Sequence, residues 1–439
     1  MAFRFLPLVL FIFILLPFNA LAQTKSTVAV GDSLSAGNGY STWLLSPSGD
    51  FSFGFHPLDI NNNDLFLLSI WYAKIPDKTI VWYANGNKPA PKGSKVQLTS
   101  DRGFVLTSPN GTDLWKSQVI DVSGVALAAL NDTGNLVLQD PKFKVVWETF
   151  KDPRDSLLPT QILEKGGKLF SRTFEANFST GRYQIFLQQD GNLVFYSVNL
   201  PSGYANENYF ESGTVVSNSS SAGHLLVFDP SGDLYVLKDD NERFSLSPSG
   251  KTPSNDISTG FYLRATLNFD GVFSLYKYPK NKNSSDQKQS WIPVWSQPEN
   301  ICTSSLASAG SGVCGYNSIC DLNDAQRPIC QCPQGYSLID PNDAYGSCKP
   351  DFTQGCEEDR RLHDFQVLIN TDWPLSDYVL QRPFTEEECK QSCLEDCFCS
   401  VAIFRLGDSC WKKKLPLSNG RVDANLNNSK AFIKVKKNN

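Results

Sequence analysis

The sequence predicts an all-β protein that ends in two small disulfide-rich modules, and three observations support this prediction. Helical periodicity is nearly absent before about residue 300. A short turn centred on glycine recurs six times in the same part of the chain. All 12 cysteines lie between Cys302 and Cys410, so the rear of the chain is dense in cysteine and the front contains none.

The recurring turn consists of small residues around a glycine, followed by alternating apolar residues. Glycine supplies the positive φ angle that a tight hairpin requires. The six copies are centred on Gly49, Gly103, Gly134, Gly191, Gly232 and Gly271. Short strands centred on tryptophan also recur, at Trp82, Trp115, Trp147 and Trp295. A unit too small to bury its own apolar face must pack against its copies, so two sets of three turns predict two domains, each built around a shared axis.

The cysteine-rich part divides into two groups of six. The first group permits fifteen pairings, which spacing alone does not choose among. It contains Cys302, Cys314, Cys320, Cys330, Cys332 and Cys348. The second group contains Cys356, Cys389, Cys393, Cys397, Cys399 and Cys410. Zinc would be the alternative use of such clusters, but a secreted chain favours disulfides.

One local helix is predicted in the second cysteine group. Thr385 and Glu388 match a capping box at its start. Cys389, Cys393 and Cys397 then follow at i, i+4 and i+8, so they are expected along one helical stripe. We expect Cys399 to lie just past the end of this helix.

Residues 1–22 are predicted to be a secretory signal peptide. Arg4 precedes a long apolar run, and Ala20-Leu21-Ala22 matches a cleavage pattern. An uncleaved anchor is the alternative, which the polar Asn19 disfavours. No later window has 18 consecutive apolar residues, so no spanning helix is expected. Six N-glycosylation sequons follow, at Asn110, Asn131, Asn177, Asn218, Asn283 and Asn427.

Composition and missing motifs exclude several classes of function. A net charge of −5 argues against nucleic-acid binding. With 3 histidines, a histidine-based metal site is not expected, and we predict neither a metal nor a cofactor. Gly31–Leu34 matches the serine block of GDSL esterases, but the D-x-x-H that would supply their base is absent. The H-R-D and D-F-G segments of kinases are also absent, so we expect no enzymatic activity.

The segment from residue 188 to residue 196 is the candidate binding site. Gln188, Asp190, Asn192, Val194 and Tyr196 alternate with other residues, so a strand would place them on one face. Amide and carboxylate groups together satisfy sugar hydroxyls, which both donate and accept hydrogen bonds. The alternative interpretation is an ordinary solvent-exposed face of an antiparallel sheet.

This Q-x-D-x-N-x-V-x-Y string resembles the mannose-binding signature of the bulb-type lectins, whose fold is a β-prism of three four-stranded sheets. The wider chain resembles the extracellular part of plant G-type lectin S-receptor-like serine/threonine kinases and S-locus glycoproteins. The resemblance covers essentially residues 23–436. Its further motifs are Gly31–Leu34, Ser46–Phe55, Ile80–Asn85 with Pro89, Trp147–Phe150, Asp152-Pro153 and Leu157–Pro159.

The other repeats depart from the signature, and each loses at least two polar contacts. Each buried polar group left without a hydrogen-bond partner costs about 1–3 kcal/mol. Because a single monosaccharide is bound weakly, losses of this size would abolish useful binding. The aligned residues are Asn131, Thr133, Asn135, Val137 and Gln139 in the third repeat, Asp229, Ser231, Asp233, Tyr235 and Leu237 in the fifth, and Asn268, Asp270, Val272, Ser274 and Tyr276 in the sixth. We therefore hypothesise one competent mannose-type site, which would need clustering for useful avidity.

The resemblance also implies the architecture of the cysteine-rich part. The first group resembles an EGF-like module without the calcium-ligand pattern, and the second resembles a PAN/apple domain. The implied disulfides are Cys302–Cys320, Cys314–Cys330, Cys332–Cys348, Cys389–Cys410, Cys393–Cys399 and Cys356–Cys397. The PAN-like module is interpreted either as a protein or dimerisation surface or as a rigid spacer.

The predicted organisation has five parts: a signal peptide at 1–22, lectin domains at 23–152 and 153–290, an EGF-like module at 298–348 and a PAN/apple module at 356–436. The expected function is extracellular binding of mannose-type glycans or glycoproteins, in a receptor-like kinase ectodomain or its secreted form. A homodimer or heterodimer of ectodomains is a further expected partner. Attachment to a membrane is expected only in a longer form with a transmembrane helix. The alternative is a protein-interaction ectodomain, as in pollen or self recognition, whose lectin folds are structural.

Overall fold

The computed structural model describes residues 25–59, 64–119, 124–199, 202–216, 221–247, 260–280, 290–304, 312–353 and 362–437. Three kinds of predicted feature lie outside these ranges: the signal peptide, Cys356, and the sequons at Asn218 and Asn283. The strands of the described ranges are numbered β1 to β36 along the chain. The chain is all-β, as the sequence predicts.

The first 13 strands form three antiparallel sheets, which we call the first prism. One sheet has the order β1 (Thr27–Ala29), β11 (Leu127–Leu130), β12 (Leu136–Gln139), β13 (Val145–Glu148). The second has the order β10 (Asp113–Lys116), β9 (Gly103–Thr107), β8 (Lys95–Thr99), β2 (Ser33–Ser35). The third has the order β3 (Ser41–Leu45), β4 (Phe51–Pro57), β5 (Leu65–Tyr72), β6 (Ile80–Tyr83), with β7 (Ala90–Pro91) also paired to β5.

Three tryptophans mark the axis of the first prism. Trp82, Trp115 and Trp147 lie on β6, β10 and β13, so each of the three sheets contributes one. Their rings contact one another edge to face, with centroids 5.9, 6.1 and 6.1 Å apart. Edge-to-face contact is a favourable geometry for aromatic rings. The predicted packing of three repeated units around a shared axis is therefore confirmed here.

The next 12 strands form the second prism, again with three sheets. A short segment of 3₁₀-helix (Thr149–Lys151) precedes it. Its first sheet has the order β14 (Ser156–Leu157), β23 (Phe261–Leu267), β24 (Phe273–Pro279), β25 (Ile292–Gln297). The second has the order β15 (Ile162–Glu164), β20 (Gly223–Phe228), β21 (Leu234–Lys238), β22 (Arg243–Ser245). The third has the order β16 (Lys168–Phe174), β17 (Asn177–Leu187), β18 (Leu193–Asn199), β19 (Tyr204–Glu211). Phe210, Phe244 and Trp295 lie on the corresponding strands β19, β22 and β25 and pack against the core of this prism.

The six predicted turns all have a glycine with positive φ, between 65° and 96°. Gly191 has a second reason to be glycine, because a Cβ atom there would lie 2.4 Å from the Gly223 carbonyl oxygen. Its turn joins β17 to β18. The glycine therefore allows these two strands to approach the neighbouring sheet.

The two prisms contact each other through aromatic side chains. Tyr262 and Tyr278 of the second prism belong to the apolar core of the first. The Tyr72 hydroxyl donates to the Leu263 carbonyl at 2.7 Å, and the Tyr262 hydroxyl donates to the Asp50 carboxylate at 2.8 Å. The apolar core is therefore shared across the boundary between the prisms.

The described residues of the cysteine-rich part form three sheets. A two-stranded sheet pairs β28 (Tyr336–Leu338) with β29 (Cys348–Pro350). A five-stranded sheet has the order β30 (His363–Ile369), β36 (Lys430–Lys436), β33 (Val401–Arg405), β34 (Ser409–Lys413), β32 (Asp377–Gln381). A four-stranded sheet has the order β27 (Pro328–Gln331), β26 (Ile319–Leu322), β35 (Gly420–Val422), β31 (Thr371–Asp372). This last sheet joins the two cysteine-rich modules, since β26 of the first pairs in parallel with β35 of the second.

Five disulfides join described cysteines, and they are pairs that the resemblance implies. They are Cys302–Cys320, Cys314–Cys330, Cys332–Cys348, Cys389–Cys410 and Cys393–Cys399. Cys397 is also disulfide-bonded. Its predicted partner, Cys356, lies outside the described residues.

The predicted local helix is α1 (Glu386–Glu395), which Thr385 and Glu388 cap as expected. Cys389 and Cys393 are buried on it, but the prediction for Cys397 was wrong, because the helix ends at Glu395. The Asp396 carboxylate accepts a hydrogen bond from the Phe398 N–H at 3.0 Å and turns the chain. That turn brings Cys399 back to Cys393. A second segment of 3₁₀-helix (Ala424–Leu426) precedes β36.

Candidate functional site

The candidate segment is the hairpin between β17 and β18. The Gln188 N–H donates to the Asn192 carbonyl at 2.8 Å, and the Gly191 N–H donates to the Gln188 carbonyl at 3.0 Å. Beyond the turn, the cross-strand pairs are regular, from Leu187 opposite Leu193 to Tyr183 opposite Ser197. The strand thus begins directly after the turn that carries the polar residues.

Alternation along β18 separates a core face from an outer face. Leu193 and Phe195 are fully buried in the core of the second prism. Val194 and Tyr196 form a separate small cluster with Val198, packed against Phe186. They are only 5% and 9% exposed, so these two residues offer edges to a ligand and not broad faces.

Asp190 and Gln188 are the accessible polar residues of the candidate site. Asp190 is exposed at the tip of the turn, and Gln188 is partly exposed beside it. Asp190 Oδ1 accepts a hydrogen bond from the Asn192 N–H at 3.0 Å. An ionised carboxylate has about four acceptor positions, so this bond leaves the group able to accept from other donors.

The side chain of Asn192 is largely committed to the fold. It is 8% exposed, and its Oδ1 accepts hydrogen bonds from the Ser212 hydroxyl at 3.1 Å and the Gly213 N–H at 2.9 Å. Its Nδ2 donates to the Glu211 carboxylate over a long 3.4 Å. This amide fixes the end of β19 against the turn.

The third repeat contains the same arrangement around Asn135. Asn135 Oδ1 accepts from the Thr149 hydroxyl at 3.1 Å and the Phe150 N–H at 3.2 Å. Asn135 Nδ2 donates to the Glu148 carboxylate at 2.7 Å. An asparagine at this position is therefore a structural feature shared by a repeat that retains the signature and by one that lacks it.

Tyr196 has a partner that the sequence analysis missed. Its hydroxyl donates to Gln184 Oε1 at 2.6 Å. The two residues face each other across the hairpin. The signal was available, because a tight turn at Asp190-Gly191 places residues equally distant from it on opposite strands.

The remaining repeats use their aligned polar groups internally. Asp229 Oδ1 accepts from the Ser231 and Asp233 N–H groups, at 2.9 and 3.1 Å. Asn268 Nδ2 donates to the Val272 carbonyl at 2.7 Å, and Asp270 forms a salt bridge with Arg327.

Four sequons lie in the described residues. Asn110, Asn131, Asn177 and Asn427 are all exposed. Asn131 lies at the turn of the third repeat, where a glycan would cover the aligned face.

The Gly31–Leu34 string lies in a turn and in strand β2. The Ala29 N–H donates to the Asp32 carboxylate at 3.1 Å, and Ser33 pairs with Gln97 of β8. Ser33 is therefore a residue of an antiparallel sheet.

Within the described ranges, no three histidine, cysteine or acidic residues cluster closely enough to hold a metal ion. None of the helices in the described part of the chain has the length and apolar character that crossing a membrane requires.

Comparison with known proteins shows what the chain is similar to. The D-mannose binding lectin family matches residues 79–173, a range that runs from the first prism into the second and ends before Gln188. A G-type lectin S-receptor-like serine/threonine-protein kinase of Oryza sativa subsp. indica, LECRK3, is 39% identical over 422 residues, which are 92% of this chain and 50% of that protein. RLK1 of Arabidopsis thaliana, of the same description, is 37% identical over 440 residues, 94% of this chain and 50% of that protein. The chain resembles the G-type lectin S-receptor-like kinases over nearly its whole length.

The chain spans about half the length of the curated relatives it matches. Solved lectins are also similar to parts of it. A monomeric monocot mannose-binding lectin from Gastrodia elata is 21% identical and covers 34% of this chain and 99% of its own, with a TM-score of 0.22. The two-domain Scilla campanulata agglutinin is 14% identical and covers 62% of this chain and 100% of its own, with a TM-score of 0.22. Tarin lectin, solved with trimannose, is 22% identical and covers 30% of this chain and 94% of its own, with a TM-score of 0.20.

Proposed function

We propose that this chain binds mannose-type glycans through the hairpin from Gln188 to Tyr196, without catalysis. One observation carries the proposal: the exposed Asp190 and partly exposed Gln188 stand together at the turn, beside the edges of Val194 and Tyr196. A carboxylate and an amide satisfy sugar hydroxyls as acceptor and donor, and an apolar edge suits the ring carbons.

The proposal includes an extracellular setting. Disulfides form and persist in oxidising compartments, and the exposed sequons are suited to glycosylation there. We propose that the chain acts as a secreted protein or as the recognition region of a membrane-attached receptor. The division into domains at 23–152, 153–290, 298–348 and 356–436 and glycosylation at the six sequons belong to the same proposal.

A shallow site on one hairpin gives weak binding to a single sugar. Millimolar affinity corresponds to about −4 kcal/mol, so useful retention requires several sites on one support. Clustering of chains, in ectodomain dimers or on a cell surface, would bring several such sites together.

The alternative is a protein-interaction ectodomain whose lectin folds are structural. The observation that favours it is the shared arrangement of Asn192 and Asn135, since the first uses its amide in the same way as a residue of a degenerate repeat. Under this alternative, the intact signature would reflect folding alone.

A glycan array separates the two functions. The secreted, disulfide-bonded chain is clustered on a multivalent support and compared with Asp190→Ala and with Ser48→Ala. Ser48 is a matched control, because it precedes Gly49 as Asp190 precedes Gly191 and its hydroxyl likewise accepts the N–H of the second residue after it. High-mannose binding that only Asp190→Ala removes supports the lectin function. No binding by any folded variant supports the alternative.

A further inference from the structure

A cavity of about 1610 Å³ lies where the two prisms meet the first cysteine-rich module. His56 of the first prism, Arg264 of the second and Tyr345 of the cysteine-rich module all line it. The floor is the outer face of the sheet that contains β23 and β24. Leu263 and Ala265 point into the core of the second prism, so Arg264 between them points outward into the cavity.

The guanidinium of Arg264 has aromatic neighbours but no acidic partner among the described residues. It lies 4.8 Å from the ring centroid of Tyr276 and 4.7 Å from that of Trp291. Its one hydrogen bond runs from Nη1 to the Thr266 hydroxyl at 3.3 Å. Its Nε is inaccessible to solvent and has no hydrogen-bond partner in the described part of the chain.

Two acidic groups that line the cavity are already paired with other arginines. Asp155 forms a salt bridge with Arg172. Asp270 accepts a hydrogen bond from Arg327 Nε at 2.7 Å and forms a salt bridge with the same guanidinium. Lys78 and the acids Asp77 and Glu175 complete the charged lining.

Burial lowers the pKa of Arg264, and this effect, with the like charge of Arg172, outweighs the opposing influence of Tyr276 and Asp155. Keeping the guanidinium charged in this place therefore costs free energy. An anion from solution would offset that cost.

Arg264 occupies the position in the sixth repeat that corresponds to Gln184 beside the candidate sugar site. It pairs with Tyr276 across β23 and β24, as Gln184 pairs with Tyr196 across β17 and β18. The cavity floor is thus the counterpart of the candidate sugar face, with a guanidinium in place of an amide. Ser274, at the position of Val194, is fully buried beneath this floor, where its hydroxyl oxygen lies 2.9 Å from that of Ser296.

We propose that this cavity binds an acidic saccharide, whose carboxylate pairs with the Arg264 guanidinium while its hydroxyls bond to the surrounding polar groups. A guanidinium binds a carboxylate through two parallel hydrogen bonds, which gives orientation as well as affinity. The ring carbons of the sugar would lie against the exposed edges of Tyr276 and Trp291. This site is separate from the Gln188–Tyr196 hairpin.

Calorimetric or NMR titration with glucuronate tests the proposal, with glucose and sulfate as comparison ligands at fixed pH and ionic strength. The wild-type chain is expected to bind glucuronate at least tenfold more tightly than either. Arg264→Gln should weaken glucuronate binding at least tenfold and leave high-mannose retention unchanged. Asp190→Ala should leave glucuronate binding unchanged, which places the ligand away from the hairpin.

Near-ultraviolet circular dichroism would reveal misfolding of Arg264→Gln. A second variant keeps the proposal testable in that case. Arg264→Lys keeps the charge and loses the planar fork, so it should weaken glucuronate binding severalfold. The proposal is overturned if the wild type binds glucuronate no better than glucose or sulfate. It is also overturned if a folded Arg264 variant binds glucuronate like the wild type, or if Asp190→Ala loses it.

Discussion

The side-chain oxygen of Asn192 accepts a hydrogen bond from the Ser212 hydroxyl at 3.1 Å, behind the turn that carries the candidate sugar site. This contact makes Asn192 a residue of the fold, while Asp190 two positions earlier faces solvent. The two residues of the signature should therefore respond differently to substitution.

Asn192→Ala should lower the free energy of unfolding by about 1–3 kcal/mol, because it removes the acceptor of the Gly213 N–H and one of the partners of the Ser212 hydroxyl. Asn135→Ala should cost a similar amount, since Asn135 holds the same contacts in the third repeat. Asp190→Ala should change stability by about 0.5 kcal/mol or less, as exposed positions do. Urea denaturation of the three variants measures this. Equal stability of wild type and Asn192→Ala would refute the structural role.

Gly191→Ala should destabilise the chain by about 3 kcal/mol or more, because a Cβ atom would overlap the Gly223 carbonyl at a φ of +91°. Gly111→Ala is the matched control. Gly111 has a similar φ of +86°, but nothing lies within 4 Å of its Cβ position, so only the backbone strain of about 1–2 kcal/mol remains. Thermal denaturation separates the two effects. Equal costs at both positions would show that the close approach of the sheets at Gly191 is unimportant.

The ion pair between Asp396 and Lys412 predicts a pH dependence. Burial alone would raise the pKa of Asp396, but hydrogen bonds from Lys412 Nζ at 2.6 Å, the Tyr378 hydroxyl and the Phe398 N–H outweigh it and lower that pKa. A carboxyl whose pKa is lower in the folded state stabilises the fold above its unfolded pKa. This stabilisation is lost as the pH falls through the folded pKa.

Asp396→Asn should therefore be less stable than the wild type at pH 7, with a difference that shrinks between about pH 5 and pH 2. Lys412→Met removes the same pair and should show the same trend. Urea denaturation across this pH range tests both variants. A difference that stays constant with pH would contradict the assignment.

Local patterns predicted much of the fold. The six glycine turns and the tryptophan strands depend on nearby residues, and they appear as expected in the two prisms. The parallel pairing of β26 with β35 had no local signal, because two short strands about a hundred residues apart leave no shared pattern. The end of α1 before Cys397 depends on the Asp396 side chain, which helical spacing does not take into account.

The sequence predicted which residues of the candidate site share a face of the strand, but it did not predict how deeply each side chain is buried. Period-2 spacing indicates which residues share a face, and Val194 and Tyr196 do lie opposite the core. The hydrogen bonds that Asn192 accepts come from Ser212 and Gly213, which lie just after β19 and outside the motif. The cavity at Arg264 was missed because residues of both prisms and the first cysteine-rich module enclose it.

The central claim is that the Asp190 turn binds mannose-type glycans, and competitive retention tests it most directly. The clustered chain is applied to an immobilised high-mannose glycoprotein and eluted with free mannose, beside Asp190→Ala and Ser48→Ala of equal stability. The proposed site predicts retention of wild type and Ser48→Ala, release by mannose, and at least tenfold weaker retention of Asp190→Ala, because a hydrogen bond to a charged group contributes about 1.5–3 kcal/mol. Equal retention of all three, or none by any, would contradict it.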